Sequence, residues 1–100
     1  MEYQIRYDQE VLDDIAANPK FHLRRIKAAI EEHLARQPFA RSNRRKPILG
    51  LHPPWAETAV PFWQLRVEPY RVFYDEAGEN VVVVRMIRLK PQGKRTEDIL

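Results

Sequence analysis

The chain has no cysteine, only three glycines and no long apolar run. Without cysteine it can form neither disulfides nor thiolate metal sites, which suits a reducing compartment. No stretch approaches the ~20 apolar residues that a membrane-spanning helix needs. The opening "MEYQIRYDQE" lacks the apolar segment of a signal peptide. A cytoplasmic location without membrane contact is therefore expected. The three histidines, His22, His33 and His52, show no metal-ligand spacing. Neither a metal nor any other cofactor is expected.

What remains is enough for one domain over residues 1–100 with a single core. The composition, 44% hydrophobic and 31% charged, is that of a folded globular chain. The net charge of +3 is modest but unevenly placed. Residues 1–37 carry six Lys/Arg against seven Asp/Glu, and residues 72–100 carry five of each. Residues 38–71 carry six against two, so the excess lies in the middle third. A local basic field of this kind suits a polyanion or an acidic protein segment.

Tyr3, Ile5 and Tyr7 alternate with Gln4 and Arg6, which predicts a first strand. Asp8 is placed to cap a short helix through Val11, Leu12 and Ile15. Asn18–Pro19 breaks that helix and starts a second one, with asparagine as N-cap and proline at the first helical position. Leu23, Ile26, Ile30 and Leu34 then form one apolar stripe, with Arg24, Arg25 and Lys27 on a solvated face. Pro38 disfavours helical geometry in the residue before it, so the helix is expected to end near Gln37.

Residues 38–61 hold five of the eight prolines and no clear period. A connection this long is unusual in a compact domain. Arg41, Arg44, Arg45 and Lys46 stand near its start and Trp55 in its middle. Basic residues near an aromatic suit a phosphate backbone with a stacked base. The alternative is a solvated loop whose Trp55 packs back on the core.

Three strands are predicted next: Phe62–Val67, Tyr70–Asp75 and Val81–Lys90. The order strand, helix, helix, three-stranded meander predicts an α+β domain, β-α-α-β-β-β, with two helices on one face of a small antiparallel sheet. If Glu68–Pro69 is a two-residue loop, Val67 opposes Tyr70, Arg66 opposes Arg71 and Leu65 opposes Val72. One face then carries Trp63, Leu65, Val67, Tyr70, Val72 and Tyr74, and the other carries Gln64, Arg66, Arg71 and Phe73. Directly opposed like charges cost on the order of 0.2–1 kcal/mol. Water, an intervening carboxylate or a bound anion can relieve that cost. Proline at the second loop position requires either a cis Glu68–Pro69 bond or a looser loop, and a looser loop would separate the arginines. On the last strand, either Arg88 and Lys90 or Arg85 joins the arginine face.

"WQLRVEPYRVFYD" followed by "VVVVRMIRLK" resembles the RelE/ParE toxin superfamily of bacterial type II toxin–antitoxin systems. The element order extends the resemblance from Tyr3 to Lys90, and "GKRTEDIL" is similar to the ending of some members. The resemblance implies a toxin whose partner is a small cognate antitoxin. For the RNA-cleaving branch it implies a ribosome-dependent mRNA interferase, an endoribonuclease acting on mRNA in the ribosome and so inhibiting translation. Arg71 then matches the phosphate-stabilising arginine, Arg66 a catalytic basic residue of the preceding strand, and Lys90 the basic residue after the last strand. Arg44, Arg45, Lys46, Gln64 and Arg88 are expected to assist in binding RNA or another anion. The alternatives are a non-enzymatic ParE-type DNA gyrase poison and a non-toxic antitoxin-binding relative. Gln64 stands where RelE-like enzymes have a second lysine, no tyrosine or histidine follows Tyr74, and Glu68–Pro69 replaces a glycine-containing turn. A site of arginines and a lysine stabilises charge but offers no ready proton acceptor near neutral pH.

Overall fold

The computed structural model describes residues 2–17, 20–56 and 60–100, with residues 20–22 as backbone only. The cap and helix start expected at Asn18–Pro19 lie outside the described residues. The chain runs β1 (Gln4–Tyr7), α1 (Gln9–Ala17), α2 (Lys20–Leu34), β2 (Arg45–Ile48), β3 (Phe62–Val67), β4 (Tyr70–Glu76), β5 (Val81–Leu89) and a short α3 (Thr96–Ile99). It is the expected α+β arrangement, with one sheet in the order β1-β5-β4-β3-β2.

Two features depart from the predicted topology. The sheet is mixed, because β1 lies parallel beside β5 with Gln4 opposite Val81. After β1 the chain crosses through two helices before it returns, and such a crossover permits a parallel partner. The long connection is also not structureless: Arg45–Ile48 pairs antiparallel with β3. Pro47 is tolerated there because β2 is an edge strand and its outer side needs no N–H donor. The second helix ends at Leu34, three residues before Gln37, and the Ala35 carbonyl accepts a hydrogen bond from the Tyr3 amide at 2.6 Å.

Asp8 caps α1, its Oδ1 accepting the Gln9 N–H at 2.8 Å while its carbonyl accepts the N–H groups of Val11 and Leu12. The α1 helix packs along β5 and α2 on β3. Between helices and sheet, Val11, Ile26, Ile30 and Leu34 meet Leu65, Val67, Tyr70, Val72, Tyr74, Val82, Val84 and Ile87. Burying each such aliphatic side chain stabilises by roughly 1.5–3 kcal/mol. Leu12, expected inside, is half exposed.

The opposite face has a smaller core of Ile48, Phe62, Phe73 and Met86, covered by Leu51, Trp55, Ile99 and Leu100. Trp55 packs edge-on against Phe62 with centroids 5.0 Å apart, and its Nε1 donates to Asp75 Oδ2 at 3.0 Å. The tryptophan therefore packs back on the sheet and is not free to stack a base. A β-bulge separates Phe73–Met86 from Tyr74–Val84, and Arg85 is the extra residue within it. Its guanidinium bridges Asp75 at 2.9 Å and Asp8 at 3.3 Å. Among the described residues, no helix is long and apolar enough to cross a membrane.

Tyr74 ties the long connection to the core. Its hydroxyl donates to the Pro38 carbonyl, and its ring lies 5.9 Å from Phe39, which also meets Tyr3 and Trp63 edge-on. Burial pushes the Tyr74 hydroxyl pKa well above its ordinary value, against a smaller lowering effect of Arg45. Burial, then the Glu31 carboxylate, raises that of Tyr7. These groups stabilise the fold fully below the unfolded-state value of about 10, and the contribution is lost as pH rises above it. Tyr74→Phe, which leaves the Pro38 carbonyl unpaired, is expected to cost about 1–3 kcal/mol near neutral pH. The variant should also show a smaller alkaline loss than the wild type. Urea unfolding at neutral and alkaline pH checks both.

Candidate anion-binding cleft

The two-residue hairpin places Val67 opposite Tyr70, Arg66 opposite Arg71, Leu65 opposite Val72, Gln64 opposite Phe73 and Trp63 opposite Tyr74. This is the register expected of a two-residue connection, and the Glu68–Pro69 bond is cis. Arg71 in turn opposes Arg88, so three arginines form a row across three adjacent strands. Like charges so arranged destabilise unless each is answered.

The answers differ. Arg88 turns round the edge of β5 to α1, with Nη1 2.8 Å from Asp14 and Nη2 3.6 Å from Glu10. Arg66 and Arg71 share Glu68 of the turn: Oε1 lies 3.7 Å from Arg66 Nε and 3.2 Å from Arg71 Nη2. Arg71 is only 8% exposed, and its Nη1 donates to the Tyr70 carbonyl at 2.9 Å. The Lys90 amide donates to the Pro69 carbonyl at 2.9 Å, which brings Lys90 beside the turn.

Arg66, Arg71 and Lys90 open onto one cleft of about 260 Å³. Arg44, Arg45, Lys46 and Gln64 border it, with Ser42, Asn43 and Thr96. Lys46 opposes Gln64 on β3 and so shares the cleft face. Arg45 opposes Leu65 and sends its guanidinium to the helix side. There its Nη1 donates to the His33 carbonyl at 2.7 Å and its Nε to the Ala40 carbonyl at 3.0 Å. A cation on the last carbonyls of a helix is well placed. Arg45 thus anchors β2 to α2. The buried Gln64 accepts a hydrogen bond from Thr96 Oγ1 at 3.1 Å, which holds the start of α3 to the cleft floor. The structure therefore brings together all the expected site residues except Arg88, and turns Arg45's charge away.

Glu68, Ser42, Asn43 and Thr96 were missed from the sequence. Of these, Glu68 carried a signal, since it stands two residues after Arg66 and three before Arg71. Ser42 organises the turn into β2: its Oγ accepts the N–H groups of Arg44 and Arg45 at 3.2 and 3.1 Å. Among the described residues, none of Arg44, Lys46 and Lys90 has a carboxylate partner. No group of three metal-ligating side chains occurs among them either.

The family model described as the ParE toxin of type II toxin–antitoxin systems (parDE) matches residues 5–89. The chain belongs to the ParE toxin family. Solved structures share the fold of this ParE-family toxin. A chain of the archaeal RelE–RelB complex from Pyrococcus horikoshii OT3 superimposes with a TM-score of 0.62 at 22% identity, covering 95% of this chain and 100% of that one. A chain of the RelBE2 toxin–antitoxin complex from Mycobacterium tuberculosis gives 0.64 at 21% identity, covering 90% and 100%. No curated protein matches the sequence. The RelE/ParE resemblance read from the hairpin is thereby borne out, and the protein is a toxin of the type II class.

The two arginine environments predict different phenotypes in this ParE-family chain. Arg45→Ala, which frees two backbone carbonyls, is expected to lower stability by about 1.5–3 kcal/mol. Arg66→Ala, at a half-exposed side chain with a long ion pair, should stay within about 0.5 kcal/mol of wild type. Chemical denaturation of the two variants checks this.

Proposed function

We propose that this toxin holds a nucleic-acid phosphate in the Arg66–Arg71–Lys90 cleft and acts as a ribosome-dependent mRNA interferase. The observation that carries the reading is the convergence of these three cations, with Lys46 and Arg44, on one recess of a sheet. In the reaction, a ribose 2′-oxygen attacks the adjacent phosphorus and the bond to the 5′-oxygen breaks. The product is a 2′,3′-cyclic phosphate, and the 2′-hydroxyl proton leaves while the 5′-oxygen gains one. Arg66 and Arg71 would stabilise the charge that grows on the phosphate oxygens. Lys90, beside the hairpin turn, would hold the backbone or give a proton to the leaving oxygen.

A second reading, a ParE-type gyrase poison, is favoured by the family whose model matches and by the chemistry of the lining. Apart from the arginines, the titratable side chains lining the cleft are Lys46 and Lys90. A ready proton acceptor is absent from that set, and the Glu68 carboxylate beside it is engaged by Arg66 and Arg71. Binding to a protein target needs none, so the arginines would then serve the target or the antitoxin.

The partner in either reading is a cognate antitoxin, as the two structural relatives are toxin–antitoxin complexes. An apolar groove lined by Leu12, Ile15, Leu23, Ile26, Ile30 and Ile87 runs between α1 and α2, and it suits the apolar face of an antitoxin helix. An acidic antitoxin segment would suit the cationic cleft.

Induced expression with mapping of mRNA 5′ ends separates the two readings. Codon-scale cleavage that falls on the order of 10²–10³-fold with Arg71→Ala supports the interferase. Intact mRNA together with accumulated gyrase cleavage complexes selects the poison instead. Leu12→Glu should abolish co-purification of the antitoxin from the adjacent reading frame while the variant still folds. Unchanged co-purification would place the antitoxin elsewhere.

A further inference from the structure

The Arg66–Arg71 pair already holds an anion. Arg71 Nη2 donates to Glu68 Oε1 at 3.2 Å, and Arg66 Nε lies 3.7 Å from the same oxygen. One carboxylate oxygen thus sits between two guanidiniums supplied by opposed strands. Arg71's Nη1 is committed to the Tyr70 carbonyl, so the nitrogen that Glu68 takes is a principal one with which Arg71 could grip a ligand. Glu68 itself comes from the turn and its side chain is 63% exposed. It can leave the pair without opening the core.

We propose that Glu68 is a built-in counter-anion of the cleft, competing with an incoming phosphodiester for Arg66 and Arg71 and thereby setting the affinity of the site. The inference rests on the reading of this cleft as a phosphate site. With Glu68 in place, the pair and its carboxylate carry one excess positive charge, and an approaching phosphate meets the carboxylate's repulsion. Lys90, Lys46 and Arg44 have no carboxylate partner among the described residues, so they supply the first attraction. The phosphate then exchanges with Glu68 to gain the two arginines. Glu68's side of the pair is exposed to water, which screens its hold on the arginines, makes the exchange easy and keeps its effect on affinity moderate. Until the exchange, Glu68 relieves the repulsion between opposed arginines that the register imposes.

The test is fluorescence anisotropy of a short labelled single-stranded RNA at low salt, with wild type, Glu68→Gln, Arg71→Ala and the double variant. Glu68→Gln keeps the side-chain shape and removes the charge, and it should bind about two- to fivefold tighter than wild type. Glu68→Ser should move affinity in the same direction. The gain should vanish in the Arg71→Ala background. It should also be absent from Glu79→Gln, which removes an equal charge at the turn between β4 and β5. Binding by Glu68→Gln no tighter than wild type, or an equal gain from Glu79→Gln, overturns the role of Glu68. Wild-type affinity in Arg71→Ala overturns the phosphate-site reading and this inference with it. Weakened binding by Arg71→Ala with no gain from Glu68→Gln overturns the inference alone.

Discussion

The two-residue connection at Glu68–Pro69 fixes which side chain of β3 stands beside which side chain of β4, and both faces of the sheet depend on it. Because side chains alternate, a slip of one residue would exchange the faces. Leu65 and Val67 would leave the helices, and Arg66 would enter the core. The energies show which side enforces the register. Each core side chain contributes roughly 1.5–3 kcal/mol on burial, whereas opposed like charges cost on the order of 0.2–1 kcal/mol. The apolar face therefore holds the register, and the facing of Arg66 and Arg71 follows from it. A cationic cleft is the other side of a well-packed core.

Arginines of one chemical type acquire separate roles from what lies within reach. Arg45 spans the gap to α2 and satisfies the carbonyls of His33 in its last turn and of Ala40 in the loop beyond it. Arg85 uses the bulge to join Asp75 and Asp8, and Arg88 folds over the sheet edge to Asp14. These three hold elements together. Arg66 and Arg71 share one carboxylate, Glu68 of the exposed turn, and Lys90, Lys46 and Arg44 have no carboxylate partner among the described residues. Charge left over after the fold is satisfied is the charge available to a ligand.

The cleft combines strong stabilisation of negative charge with a poor supply of proton acceptors. A toxin of this family with that site is well equipped to grip phosphate. In both proposed readings, whether the target is a ribosome-bound messenger or the protein surface of a topoisomerase, the chemistry depends on what that target brings. The second small core has a part in this. Trp55, Ile99 and Leu100 cover Phe62, Phe73 and Met86, while Thr96 holds the last segment to Gln64. Gln64 and Thr96 line the cleft, whereas Trp55 is held in the packing and is not free to stack a base.

Local pattern in the sequence was enough to specify the β1 and β3–β5 strands, the apolar stripe of α2, the faces of the hairpin and the family. The strands, the stripe and the hairpin faces follow from periods of two or 3.6 residues within short windows, and the family from the resemblance of the hairpin motif. The partners of Arg45, Arg85 and Arg88 were not legible. Asp8 and Asp14 stand 77 and 74 residues from Arg85 and Arg88, Arg45 reaches back across the end of α2, and Arg85 depends on a bulge that no local period reveals. The strand within the long connection was hidden for a related reason: Arg45–Ile48 becomes a strand only because β3 offers it an edge. The parallel seat of β1 beside β5 was likewise decided by the crossover. Alternation determines which way a side chain points, but only the packed chain determines what it meets there, because long-range contacts depend on tertiary distance and not on sequence spacing.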